Sequence, residues 1–404
     1  MGILHCMEVA WCRSFQALLK VGNCLMDYRM PECLEGAGAI SQLPALLKEK
    51  GIRDVLVVTG DSLLRRGMLE PMLRAMDAEG IHYTVFHLSR PDPTSEDVEA
   101  GYRIYRENGC KALVALGGGS RIDCAKGIAA KAVRPRETVA QLQGLLKVRR
   151  PIPPFAAIPT TAGAGSETTV AAVITDSATH RKAAINDPVL IPRYAVLDPA
   201  LTIGLPPAIT AATGMDALAH AVEAYTNHTY NTHLEDRLAK EAVRLIHDNI
   251  LPAYEDGSNL AARQNMQKGA FYAGRAFTRG CVGYVHALGH TLGGLYGVSH
   301  GYAMAVLLPH VMRQYGAAAH KRLAELADVC GMDGRSDAEK ADCFLSWMEQ
   351  INARMGIPDK IDCIRDEDVE QMITWARKEA HPLYPVPVIW SRKDFRKLIG
   401  QIRA

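Results

Sequence analysis

Between residues 53 and 197, short apolar runs alternate with stretches of helical spacing. Residues 53–59 (RDVLVVT) are rich in valine and run straight into Gly60, the pattern of a buried parallel strand. Residues 63–78 carry apolar side chains at helical spacing, and residues 81–86 (IHYTVF) form the next strand. The turn Pro91-Asp92-Pro93-Thr94 follows, and Thr94 with Asp97 makes a capping-box start for a helix over 98–108. Residues 112–116 (ALVAL) predict a third strand, followed by a helix over 124–133. The run 153–159 (PPFAAIP) reads as another strand, residues 170–175 pair with 182–185, and 195–197 end at Asp198-Pro199. Repeated alternation of this kind predicts a doubly wound, Rossmann-like parallel sheet with ligands at the carboxyl ends of its strands.

Leu205-Pro206-Pro207 marks a change, because prolines open helices and break what precedes them. Helical periodicity then dominates over 208–225, 234–250, 260–278, 321–329, 339–354 and 368–378. The β-like letters at 388–390 are too few to alter this. The expected fold class is α/β plus all-α. Residues 1–205 form a dinucleotide-binding α/β domain, with 1–30 an N-terminal extension, and residues 206–404 form an all-helical metal-binding and catalytic domain.

Composition narrows the function. The chain has 404 residues, 48% of them hydrophobic, and a net charge of +2, which argues against a nucleic-acid or membrane-surface partner. No apolar run reaches the roughly 18 residues of a membrane span. Glu8 and Arg13 interrupt the first 20 residues, so no secretory leader is expected. Ten cysteines are scattered without a C-x-x-C pair, four of them in the first 33 residues; this predicts reduced thiols in a cytoplasm.

Two loops and a group of histidines carry candidate chemistry. Gly117-Gly118-Gly119-Ser120-Arg121-Ile122-Asp123 joins a strand to a helix, which lets a backbone approach a pyrophosphate at a helix start. Taken alone, a glycine triplet is also an ordinary tight turn. Thr160-Thr161-Ala162-Gly163-Ala164-Gly165-Ser166 offers small residues and hydroxyls after the next apolar run, so the two loops together favour a nucleotide. His286, His290 and His300 lie within fifteen residues of apolar, glycine-rich sequence, where an unpartnered imidazole is costly. Asp216 and His220 are four apart on one helix face, as are His286 and His290. One aspartate and three histidines suit a divalent transition metal, iron or zinc, and leave one histidine for other work. A Gly293-Gly294 break is expected between His290 and His300.

Four motifs then make the sequence similar to the iron-containing (group III) alcohol dehydrogenase family. They are GGGSRIDCAKG (117–127), IPTTAGAGSETT (158–169), LPPAITAATGMDALAHAVEAY (205–225) and HALGHTLGGLYGVSHGYAMAVLLPHVM (286–312), and the likeness runs from about Pro31 to the C-terminus. The resemblance implies that Asp216, His220, His286 and His300 hold the metal, Fe2+ or alternatively Zn2+, and that His290 sits by the nicotinamide as the catalytic proton relay. It implies that Gly118, Gly119, Ser120 and Asp123 cradle the pyrophosphate of NAD or NADP. Thr160 and Thr161 would contact the nucleotide, and Lys182 would reach the nicotinamide ribose. The family's two-domain fold agrees with the two halves read above.

The sequence departs from the family in three places. Gly60 stands where an acidic residue commonly binds the adenosine ribose. Without that carboxylate NADP is admissible, with Arg65 or Arg66 able to pair with its phosphate, unless Asp61 substitutes. Asp92 replaces the asparagine of the family's Pro-Asn-Pro-Thr turn near the nucleotide. Residues 1–30 match no family motif. The expected reaction is hydride transfer between NAD(P) and a small alcohol or aldehyde in a cleft between the domains, with the metal as Lewis acid. Tyr284, Phe277, Tyr296 and Val170 are candidates for an apolar substrate pocket. The expected assembly is a homodimer or higher homo-oligomer. Alternatives are a glycerol-dehydrogenase-like zinc polyol dehydrogenase and a dehydroquinate-synthase-like lyase, although no basic cluster for a phosphorylated substrate surrounds residues 286–300.

Overall fold

The computed structural model describes residues 3–89, 92–176 and 182–404. The chain forms two compact units. One comprises Asp27–Gly204 and Ser258–Gln267; the other comprises Met1–Met26, Leu205–Gly257 and Lys268–Ala404. The first 26 residues thus group with the helical unit, not with the α/β residues that follow them in sequence.

The α/β unit contains β1 (Glu32–Glu35), β2 (Asp54–Gly60), β3 (His82–Leu88), β4 (Ala112–Gly117), β5 (Gly144–Leu145), β6 (Phe155–Pro159), β7 (Ala171–Thr175), β8 (Lys182–Asn186) and β9 (Tyr194–Leu197). Six of them form one parallel sheet in the order β1-β9-β6-β4-β2-β3. Alternate side chains feed two separate cores. Leu56, Val58, Leu113, Ala115, Phe155 and Ala157 pack on one face. Val55, Val57, Val114, Leu116, Ala156 and Ile158 pack on the other. Burial on both faces is why these strands read as unbroken apolar runs. A small second sheet, β5-β8-β7, contains the antiparallel pair expected at 170–185. Pro91, part of the expected turn, lies outside the described residues, while Thr94 and Asp97 do form the capping box.

Strand β1 (ECLE) has no sequence signal. It is a half-exposed edge strand that pairs only with β9, so it needs neither alternation nor an apolar run.

The helical unit follows the predicted periodicity, with helices Pro207–Asn227, His233–Glu255, Tyr284–Tyr296, His300–Tyr315, Ala317–Val329, Asp337–Arg354, Val369–Ala380 and Arg392–Ile402. The expected break at Gly293-Gly294 does not occur. The helix passes through both glycines and ends at Gly297, whose φ of +68° is left-handed and whose N–H donates to the Gly293 carbonyl. An interior glycine costs a helix only about 1 kcal/mol, whereas a left-handed terminus selects glycine. The unmatched N-terminal segment is also helical, over Ile3–Cys24. Among the described residues no helix is long and apolar enough to cross a membrane.

Candidate metal and cofactor site

Helix Pro207–Asn227 is buried along almost its whole length, and Asp216 and His220 sit one turn apart on it. His286 lies in the first turn of Tyr284–Tyr296, and His300 is the first residue of the next helix. One ligand atom from each of these four residues lies within 4.8 Å of the other three. Asp216 Oδ1 is the centre of the group. The Nε2 atoms of His300, His286 and His220 lie 3.3, 3.8 and 3.9 Å from it.

The group could hold a divalent ion. Asp216 Oδ1 and His286 Nε2 are buried, yet neither has a hydrogen-bond partner, a costly state that a divalent cation between them would relieve. Burial pushes His220 down to about 3 and His286 well below the ordinary imidazole range, so both rings are neutral, the form that ligates metals. Burial works against the Asp216 carboxylate, but the surrounding imidazoles outweigh it and hold its pKa far below the usual value. The nitrogen and oxygen donors suit Fe2+ or Zn2+. Asp216, His220 and His286 are buried while the His300 side chain is 44% exposed, which leaves an open side for a substrate oxygen.

Glu223, not singled out from the sequence, joins the group. It lies on the Asp216 helix, 1% exposed, and its Oε2 is 2.5 Å from His286 Nδ1. Its Oε1 accepts the Val285 N–H. The signal was present: Glu223 follows Asp216 by seven residues, two turns along the same face. Burial raises its pKa to about 7, against the backbone donors of Gly283 and Val285.

His290 stands apart from the four. Its Nδ1 is 2.8 Å from Glu379 Oε1, its ring stacks on His300 at 5.3 Å between centroids, and its side chain is 46% exposed. Tyr384 donates to the same Glu379 oxygen. Burial draws the His290 pKa down, but the charge and hydrogen bond of Glu379 outweigh it and raise it. Glu379 and Tyr384 are too distant in sequence to have been paired with His290.

Phe277 stacks on His220 with centroids 4.1 Å apart, beside the ligand group. Tyr284 is not a pocket residue. It is fully buried against Trp390, Phe395 and Tyr315, and its hydroxyl is 2.6 Å from His381 Nε2. Tyr296 hydrogen-bonds Asp368, and Val170 belongs to the α/β unit.

In the α/β unit the two candidate loops meet. Gly117 has φ +155°, and Gly118 caps the helix Gly119–Val133. A β-carbon on Gly119 would lie 3.0 Å from Ala164, and one on Gly118 would lie 3.5 Å from Thr161 Oγ1. At Gly119 glycine eases the approach of the loops, whereas 3.5 Å at Gly118 is ordinary contact. Thr160 N donates to the Gly117 carbonyl. Ser120 lies in the first turn of the same helix, where N–H groups have no helical partner. Asp123 binds protein groups through both oxygens, Ser166 Oγ at 2.6 Å and Val173 N at 3.0 Å. Lys126, fully buried and unanticipated, ties the loops together by donating to the Thr169 carbonyl and Oγ1, Ser166 Oγ and the Ala171 carbonyl. Burial lowers it to about 8. Gly60 closes β2. Asp92 and Lys182 pair with each other at 2.9 Å on the surface.

Comparison with known proteins agrees with this arrangement. A family profile described as iron-containing alcohol dehydrogenase matches residues 31–199, and the profile of that family's C-terminal domain matches residues 210–402. The chain is 36% identical to the NAD-dependent methanol dehydrogenase of Bacillus methanolicus over 344 residues, 84% of this chain and 90% of that protein. It is 36% identical to the 1,3-propanediol dehydrogenase of Klebsiella pneumoniae over 364 residues, 88% and 94% of the two chains. A crystal structure of a 1,3-propanediol oxidoreductase superposes with a TM-score of 0.89 at 35% identity, covering 94% of this chain and all of that one. The protein belongs to the iron-containing alcohol dehydrogenase family and is a metal-dependent oxidoreductase that interconverts alcohols and aldehydes with a nicotinamide cofactor.

Proposed function

We propose that the substrates are short-chain primary alcohols and their aldehydes, and that Asp216, His220, His286 and His300 hold the catalytic ion. When bound, a divalent ion supplies Lewis-acid polarisation of the substrate oxygen. Glu223 fixes His286 by accepting its Nδ1–H, which turns the Nε2 lone pair toward Asp216. His290, held by Glu379 and half exposed, exchanges the substrate proton with solvent. Phe277 beside His220 gives an apolar wall suited to a small hydrocarbon chain. Methanol and 1,3-propanediol, in the names of two relatives, are of this size.

In the same reading, the helix start at Gly118, Gly119 and Ser120 takes the cofactor's pyrophosphate. Thr160 and Thr161 border it, and Asp123 acts from beneath by joining the two loops. Gly60 lies at the adenosine ribose, Lys182 reaches toward the nicotinamide ribose, and Asp92, its ion-pair partner, borders the nucleotide. Ten free thiols support a cytoplasmic location. The exposed apolar face of the N-terminal helix (Leu4, Met7, Trp11, Leu18) supports a homo-oligomer.

The observation that carries the reading is the convergence of three imidazole nitrogens on the unsatisfied Asp216 oxygen. Asp216→Ala and His286→Ala are expected to lose bound metal and turnover together, measured with a panel of short alcohols and aldehydes and with NADH and NADPH in parallel. Full turnover by either variant after chelator treatment would overturn it.

A further inference from the structure

At the carboxyl end of β2 the chain has no side chain, and its backbone is not the reason. Gly60 is extended, with φ −118° and ψ 148°, a conformation open to any residue. The space a side chain would take there is occupied by the end of Arg121. A β-carbon built on Gly60 would lie 2.7 Å from Arg121 Nε, 3.0 Å from its Nη2 and 3.2 Å from its Cζ. Arg121 is in the first turn of the helix that follows β4, and β4 is the hydrogen-bonded neighbour of β2. Its stem crosses Gly117, where a β-carbon would overlap Cβ and Cγ of the arginine. Two glycines at the ends of adjacent strands therefore make a bed for one guanidinium group.

In a doubly wound sheet this position is selective. A carboxylate at such a strand end hydrogen-bonds the ribose 2′-hydroxyl of NAD and repels a 2′-phosphate, whereas an arginine accommodates the phosphate. Here the volume of the missing side chain is filled by a cation. Asp61, Asp97 and Asp92 all act on the Arg121 charge, and each also has another partner. Asp61 Oδ1 is 2.5 Å from His87 Nδ1, Asp92 pairs with Lys182, and Asp97 accepts the Thr94 N–H that caps its helix. Arg65 and Arg66, the alternatives read from sequence, are exposed at the end of helix Asp61–Arg65, and neither is among the atoms nearest Gly60.

We propose that Arg121, bedded on Gly60 and Gly117, is the specificity-determining residue for the cofactor and takes the adenosine 2′-phosphate, so that the enzyme prefers NADP(H) to NAD(H). The proposal rests on the placement of the cofactor given above. A guanidinium group presents a planar fork that binds phosphate through two parallel N–H bonds, and partial burial strengthens that pair.

The test is calorimetric titration of the intact protein with adenosine 2′,5′-bisphosphate and with 5′-ADP, alongside kcat/KM for NADPH and NADH. The wild type is expected to bind the 2′-phosphorylated nucleotide about tenfold or more tightly than 5′-ADP. Arg121→Ala is expected to lose most of that preference while its 5′-ADP affinity changes less than about twofold, and Arg121→Lys to retain part of it. Equal binding of the two nucleotides by the wild type would overturn the proposal. So would an Arg121→Ala variant, folded by its melting temperature, that weakens both equally, since that marks a guanidinium stacked on adenine. Failure of the wild type to bind either nucleotide would sink the cofactor placement itself.

Discussion

Glu223 Oε2 lies 2.5 Å from His286 Nδ1, and both side chains are buried. The pair fixes the ring so that Nε2, the other nitrogen, faces Asp216 Oδ1 at 3.8 Å. Hydrogen bonds of this kind set the tautomer and the basicity of a ligating histidine. Glu223→Gln keeps the volume and removes the charge, and its amide can still accept one of the two bonds. The expected result is a native fold with metal affinity reduced about 10- to 100-fold, measured by chelator competition with metal content read by mass spectrometry. Unchanged affinity would mean that His286 is oriented by packing alone.

Much of this site was legible in the chain, and the reason is periodicity. Asp216 and His220 share a helix face, and so do His286 and His290, because a four-residue step is about one turn. The parallel sheet was equally visible, since strands buried on both faces have no polar alternation to confuse the signal. What stayed hidden depends on tertiary contact. Glu379 meets His290 across 89 residues, and Lys126 meets Thr169 across 43. Local spacing does not encode such pairs. The edge strand β1 was missed because half-exposed residues are not required to be apolar. Gly293 and Gly294 misled in the opposite sense, because packing carries a helix through glycines that its propensity disfavours.

Glu379 is expected to govern the pH dependence of His290. The carboxylate stabilises the imidazolium by charge and by the 2.8 Å hydrogen bond, and this outweighs the effect of burial, so the His290 pKa stands above its ordinary value. Glu379→Gln removes that stabilisation and lowers the pKa. In the proposed role His290 takes the substrate proton as a neutral ring, so activity would rise as pH passes its pKa. The acidic limb of kcat is therefore expected to move toward lower pH in the variant, with bound metal unchanged. A profile of kcat against pH for the two proteins decides this. An unmoved limb would assign it to another group, and a shift to higher pH would contradict the role of Glu379.

The N-terminal helix is expected to detach in acid. It faces the wrong way for an ordinary surface helix, with Cys12, Gln16 and Asn23 buried while Leu4, Met7, Trp11 and Leu18 are exposed. Its attachments are polar. Arg13 donates to the carbonyls of Val386 and Pro387, Gln16 to those of Pro382 and Tyr384, and Glu8 binds Arg377 and His381. Burial opposes the Glu8 carboxylate, but Arg377 and His381 outweigh it and its pKa is lowered. His381 is lowered as well, by burial first, with Arg377 and His5 adding to it against the pull of Glu8. Both folded values lie below the unfolded ones, so both groups stabilise docking above their ordinary pKa. That contribution declines as pH falls, first through the histidine range and then below the 4.5 of a free glutamate. Hydrogen exchange corrected for intrinsic rates is expected to show residues 3–24 losing protection near pH 4 while helix Pro207–Asn227 keeps its own. Glu8→Gln is expected to weaken docking at neutral pH by about 1 kcal/mol, discounted for partial exposure, and to flatten the response to acid. Protection of residues 3–24 that persists at pH 4 in both proteins would show that the helix is held by its carbonyl contacts and packing, and that Glu8 contributes nothing to the attachment.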